Sequence, residues 1–152
     1  MRRREPIIKK DEFDEHVLDL RRVTRVVAGG KRFRFRVTVV IGDGKGRVGV
    51  GVAKGQDVQQ AIAKSKEKAK KNLITVTIKN GTIAHETEAK FSAARVIIKP
   101  AKDGHGLMAG GAPRIVLKLA GIHDVTAKCM GSTSNKLTNA LATIRALEKI
   151  SV

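Results

Sequence analysis

The sequence predicts an α+β protein of two domains, an antiparallel sheet carrying a helix followed by a second α/β unit. Apolar residues alternate strictly over 33–41 and again over 48–52, with the glycine-rich run GDGKG (42–46) between them, the period-two pattern of a hairpin. A Lys-rich helical pattern follows at 57–72. Beyond residue 83 the succession of strand, loop and helix starts again.

Taken in order, residues 1–14 form a flexible basic arm bearing Arg2, Arg3 and Arg4, and the first domain covers 15–82. A strand-like stretch at 17–27 ends at Gly29 and Gly30. In the next strand Phe33, Phe35, Val37, Val39 and Ile41 share the core face, with Arg34, Arg36 and Thr38 on the other. After the turn, Val48, Val50 and Val52 point inward and Gly49 and Gly51 outward. Asp57 caps the helix, with Gln60 three residues on as in a capping box. Val58, Ala61, Ile62, Ser65 and Ala69 make its buried stripe, and five lysines spread over the rest. A short strand at 74–78 leads through Asn80 and Gly81 to a connector, 82–90. The second domain, 83–152, has strands at 94–98 and 125–130 and a glycine-rich loop at 104–111. A short helix at 113–120 carries Pro113 early and Gly121 just past its end. The last helix, 135–150, bears Leu137, Leu141, Ile144 and Leu147.

The charge says what such a protein meets. Thirty-one Lys and Arg against fourteen Asp and Glu leave 152 residues at formal net charge +17, so the partner is a polyanion gripped by its phosphates. The four aromatic residues are all Phe. That scarcity favours structured RNA over a single-strand binder that stacks bases on many rings. The single cysteine, Cys129, cannot form an internal disulfide, and no Cys/His spacing points to zinc. No signal-peptide stretch or membrane-length apolar run occurs, so the chain is expected in the cytoplasm, with no membrane span, cofactor or small-molecule substrate.

Several motifs imitate enzymes. Gly44, Gly46 and Gly49 satisfy GxGxxG, but a dinucleotide site needs that motif to open a helix and here a strand follows. The same residues read best as a hairpin turn. The run 31–35 (KRFRF) is near the RNP1 pattern of exposed aromatics, yet lacks its glycines, and Phe33 and Phe35 fall on the core side. The 104–111 loop precedes a helix start, where backbone amides bind anions, and no GK[ST] follows it. His105, His123 and Asp124 are the candidates for acid–base chemistry, without a nucleophile beside them. A small phosphate-handling enzyme using this loop is one competing reading; a free double-stranded-RNA-binding module is another.

The succession of three strands and a basic helix is similar to the double-stranded-RNA-binding fold. More specifically, VVAGGKRFRF, VVIGDGKGRVGVGVAKG, KAKKN, VIIKPA and GLMAGGAPR, in that order, make the chain resemble the small-subunit ribosomal protein number five family over nearly all of 15–150. The resemblance implies an N-terminal double-stranded-RNA-binding-like domain and a C-terminal left-handed βαβ-type domain. It implies no catalysis, a structural place in the small ribosomal subunit on 16S ribosomal RNA, and proteins number four and number eight as neighbours. On it, Gly29 and Gly30 match the loop that reaches head and neck RNA beside the spectinomycin site. Gly106 and Arg114 match positions at the interface with protein number four that influence decoding accuracy. The expected RNA-binding set is Arg22, Arg25, Gly29, Gly30, Lys31, Arg32, Arg34, Arg36, Lys45, Arg47, Lys54, Lys66 and Lys70. The chain departs from the family pattern at Ala28, often Lys, at Gln59, usually Pro, and over 132–139, which lacks Asn-Pro.

Overall fold

Two four-stranded sheets and three helices make up the computed structural model, which describes residues 12–150. The first sheet is antiparallel, in the order β1 (Asp14–Val27), β2 (Gly30–Gly42), β3 (Arg47–Gly55), β4 (Leu73–Thr75), with α1 (Val58–Lys71) between the last two. The second sheet comprises β5 (Thr87–Phe91), β6 (Ala94–Pro100), β7 (Leu107–Met108) and β8 (Val125–Cys129), in the spatial order β5-β6-β8-β7. α2 (Gly111–Ala120) connects the parallel pair β7 and β8, and α3 (Lys136–Glu148) packs on β5 and β6. This is the expected α+β architecture. The arm expected over 1–14 lies outside the described residues up to residue 11, and Asp14 already opens β1.

Local expectations shift where tertiary contacts decide. β5 occupies the connector expected over 82–90; its polar Glu88 and Lys90 break the apolar signal, while Thr87 and Ala89 face the core. The strand expected at 74–78 stops at Thr75: the Val76 amide still donates in register to the Gly46 carbonyl (2.9 Å), but the Gly46 amide donates to Ala120 (2.8 Å) and does not close the pair. Asp57 sits at the N-cap of α1 but its carboxylate makes no cap bond; Gln60 Oε1 instead accepts from the Gln56 amide at 3.3 Å.

The first sheet is covered on both faces at its inner end, which corrects the expected orientation of β3. Register pairs Val39 with Gly51 and Ile41 with Gly49, so these residues share a face, and that face carries α1. A Cβ added at Gly51 would lie 2.1 Å from the Ser65 carbonyl oxygen, and one at Gly49 2.6 Å from that of Ala69. The glycines therefore do not point to solvent; they let the helix backbone approach the strand. Ser65, on the helix, donates its hydroxyl to the Val37 carbonyl at 3.0 Å. Val48 and Val50 do point inward, but toward the other half of the chain, where they join one apolar cluster with Val40, Val116, Leu117, Ile144 and Leu147. A bulge between Val17 and Asp19 adds Leu18 to that cluster.

The GDGKG turn is the hinge of this arrangement. Gly44 and Gly46 donate their amides to the carbonyls of Leu119 (3.0 Å) and Ala120 (2.8 Å). Those carbonyls end α2 and have no acceptor role within the helix, and they carry the negative end of its dipole. Gly121 closes the contact at φ 84°, with an added Cβ meeting the Gly44 oxygen at 2.1 Å. The turn is thus built to cap a helix, and its amides are consumed there rather than offered to a phosphate.

Beyond α1 the hairpin of β1 and β2 projects alone. Fourteen helical residues span about 21 Å and the thirteen of β2 about 43 Å, so the helix cannot cover the strand. Phe35 is half-buried against the α1 side, but Phe33 is 51% exposed, contrary to its expected place in the core.

Candidate nucleic-acid interface

Strand register sorts the cations of the hairpin onto its two faces. A two-residue turn, Ala28 and Gly29, pairs Val27 with Gly30, Arg25 with Arg32, Val23 with Arg34 and Arg21 with Arg36. These residues share one face, and Lys54 joins it through its pairing with Arg36. Arg25, Arg32, Arg34 and Lys54 rim a groove of about 510 Å³ whose floor includes Val23 and Val27. Arg34 and Lys54 also rim an adjoining cleft of about 220 Å³ that runs to Gln60 and Lys64 on α1. The result is a continuous basic track from near the hairpin tip to the start of the helix. At the tip an added Cβ on Gly29 or Gly30 would meet nothing within 4 Å, so the backbone there is open to approach.

Other members of the expected set lie elsewhere. Arg22 and Lys31 occupy the opposite face of the hairpin, with the Arg22 guanidinium 4.8 Å from the centre of the Phe33 ring. Lys66 is drawn to Glu15 (3.1 Å), whereas Lys70 is exposed near the end of α1. Lys45 and Arg47 stand at the far end of β2, about 40 Å from the tip. Arg47 is tied down there: its Nε donates to Asp43 Oδ2 at 2.6 Å, and its guanidinium lies 5.0 Å from the centre of the Phe13 ring. Lys64 and Arg21 belong near the track but were not in the expected set. Their signal was present in the period of two through Arg21, Val23 and Arg25, and in the helical position of Lys64 one turn after Gln60.

Asp43 organises the inner turn. Its Oδ1 accepts from the amides of Lys45 (2.8 Å) and Arg47 (3.0 Å). Burial of the carboxyl raises its pKa, but the Arg47 side chain and the two amides outweigh that and hold it below the ordinary value. A depressed folded-state pKa stabilises the fold above the ordinary Asp range and loses that contribution as pH falls through the folded value. Asp43→Asn is expected to lower stability on the order of 1 kcal/mol at neutral pH. The gap from the parent should close as the solution is acidified below the Asp range, which thermal melts over a pH series will read. A gap that stays constant into acid would mean the charge of Asp43 plays no part.

The second half presents a separate cleft of about 420 Å³, with Gly106 and Arg114 on the same wall system as Lys118, His123 and Asp124. Asp124 Oδ1 accepts from the Gly106 amide at 2.8 Å, which pins the glycine loop to the start of β8. His105 Nε2 lies 3.3 Å from Thr126 Oγ1. These polar groups are occupied in holding the loop. Arg114 is exposed and, among the described residues, nothing pairs with it. Also among the described residues, no group of three or more His, Cys, Asp or Glu could hold a metal, and no helix is long and apolar enough to cross a membrane.

Family models match both halves of the chain: ribosomal protein S5, N-terminal domain, over residues 13–77, and ribosomal protein S5, C-terminal domain, over residues 89–151. The chain belongs to the ribosomal protein S5 family. It is therefore a structural ribosomal protein of the small subunit, an RNA-binding protein of translation and not an enzyme. In this S5 protein the GxGxxG match is a contact between the two family domains, since Gly44 and Gly46 lie in the first and the α2 carbonyls they meet in the second.

Proposed function

We propose that this S5 protein binds 16S ribosomal RNA through the basic track of the β1–β2 hairpin and the start of α1, and that it supports subunit assembly in the cytoplasm. The observation that carries this reading is the convergence of Arg25, Arg32, Arg34, Lys54 and Lys64 on two adjoining clefts. Side chains spaced along a groove suit the regular phosphates of folded RNA. The domains are taken as 15–82 and 83–152, with the hairpin tip at Gly29 and Gly30 reaching RNA of the head and neck.

The cleft of Gly106 and Arg114 is assigned to the neighbour number four, with number eight elsewhere on the surface. Arg114 lies in the first turn of α2, where the helix dipole disfavours a cation. Its exposed charge is therefore suited to an external carboxylate or phosphate. A rim ion pair is worth about 0 to 1 kcal/mol, enough to bias a conformational equilibrium several-fold while leaving assembly intact. Arg114→Leu is expected to sediment with small subunits as the parent does and to raise stop-codon readthrough several-fold. Parental readthrough in cells whose subunits carry the variant would remove Arg114 from the control of accuracy, and failure of the parent itself to sediment with small subunits would remove the binding reading.

A further inference from the structure

We propose that Phe33, with Arg22 beside it, is a stacking site for a nucleobase, on the face of the hairpin opposite the phosphate track. The site deepens the RNA-binding reading and rests on it. Of the four Phe residues, Phe13, Phe35 and Phe91 all pack against an apolar cluster, whereas Phe33 packs against neither. Half of its surface is open, and it is flanked on the same face by Thr24 opposite, Arg22 and Phe35 on the inner side, and Val26 and Lys31 toward the tip. Val26 is itself 74% exposed. An apolar strip of this kind needs an occupant, and the charge around it selects one. Residues 20–36 carry seven Arg and Lys and no Asp or Glu.

A protein surface meeting both faces of such a hairpin would have to supply matching carboxylates on each side while also covering a ring. RNA supplies phosphates to one face and a flat aromatic base to the other from the same polymer. A base can lie against the ring, and the Arg22 guanidinium, 4.8 Å from the ring centre, is planar and stacks in the same way. Cations on both faces also mean that the hairpin inserts between two segments of RNA instead of lying flat on one.

The chain contains no Trp or Tyr, so the indole of Phe33→Trp reports on this position alone. In the full-length protein, saturation with 16S ribosomal RNA is expected to quench its emission strongly, as stacking on a base does. Phe33→Leu, at an exposed position, should keep the parental melting temperature. It should weaken RNA binding about 5- to 150-fold, the range for loss of one stacked base. Its salt dependence should stay parental, because no phosphate contact is lost. If the parent binds this RNA while the Phe33→Trp emission is unquenched at saturation, or Phe33→Leu binds as the parent does, the stacking site is wrong and the phosphate track stands. A change in Phe33→Trp emission that appears with ribosomal proteins and not with RNA gives the face to a protein and also overturns the proposal. No RNA binding by the parent removes both readings together.

Discussion

Gly51→Ala will destabilise the folded chain by about 3 kcal/mol, at the upper end of the usual range for overpacking. The added carbon would stand 2.1 Å from the Ser65 carbonyl oxygen and 2.6 Å from the Ala69 amide nitrogen, both backbone atoms of α1. A flexible side chain could swing away; a helix backbone moves only by leaving the sheet. Its departure would open the cluster of Val37, Val39, Ile41, Ala61 and Ala69. Such a loss is a large share of the ordinary stability of a domain, about 5 to 15 kcal/mol. Gly29→Ala is the matched control, since its Cβ would meet nothing within 4 Å, and should change stability by less than about 0.5 kcal/mol. Urea midpoints of both variants decide the matter. If Gly51 faced solvent, as alternation along β3 alone predicts, both substitutions would be equally mild.

Removing three cations of the track should weaken RNA binding strongly and change its salt dependence. With about six phosphates engaged, the log–log slope of affinity against salt is expected at about −4 to −5. The combined Arg25→Ala, Arg32→Ala and Arg34→Ala variant should be shallower by about 2 to 3 units, which corresponds to roughly 100-fold weaker binding at 0.15 M salt if the non-ionic part is unchanged. Arg47→Ala should leave the slope as it is, because its guanidinium is committed to Asp43 and lies at the far end of β2. Filter binding to 16S ribosomal RNA over a salt series measures all three proteins. A parental slope in the triple variant would detach the track from RNA. A slope reduced equally by Arg47→Ala would extend the contact to the inner turn.

Much of the fold was legible because local periods are strong where one surface dominates. The alternation at 33–41 marked β2, the spacing of Ala61, Ser65 and Ala69 marked the buried stripe of α1, and Gly121 marked the end of α2. β5 was missed because a short strand with Glu88 and Lys90 on its outer side carries little apolar signal. The candidate site was legible as a set of cations but not as an arrangement. Nothing local separates Arg47, held by a carboxylate, from Arg34, which rims the groove.

By itself the sequence determined the charge and hence the polyanionic partner, the three helices and the longer strands in their order, and the resemblance that the two family models bear out, but not the short strands β5 and β7. Only the tertiary structure decided what each face meets. A period of two tells which residues of a strand lie together, but not which side a second layer will cover. Here both sides are covered at the inner end, by α1 over Gly49 and Gly51 and by the second half over Val48 and Val50. Neither side is covered by α1 at the tip, because a helix rises about 1.5 Å per residue and a strand about 3.3 Å. That difference in rise leaves Phe33 in the open and places the arginines of β1 and β2 on a free hairpin, where RNA can reach them.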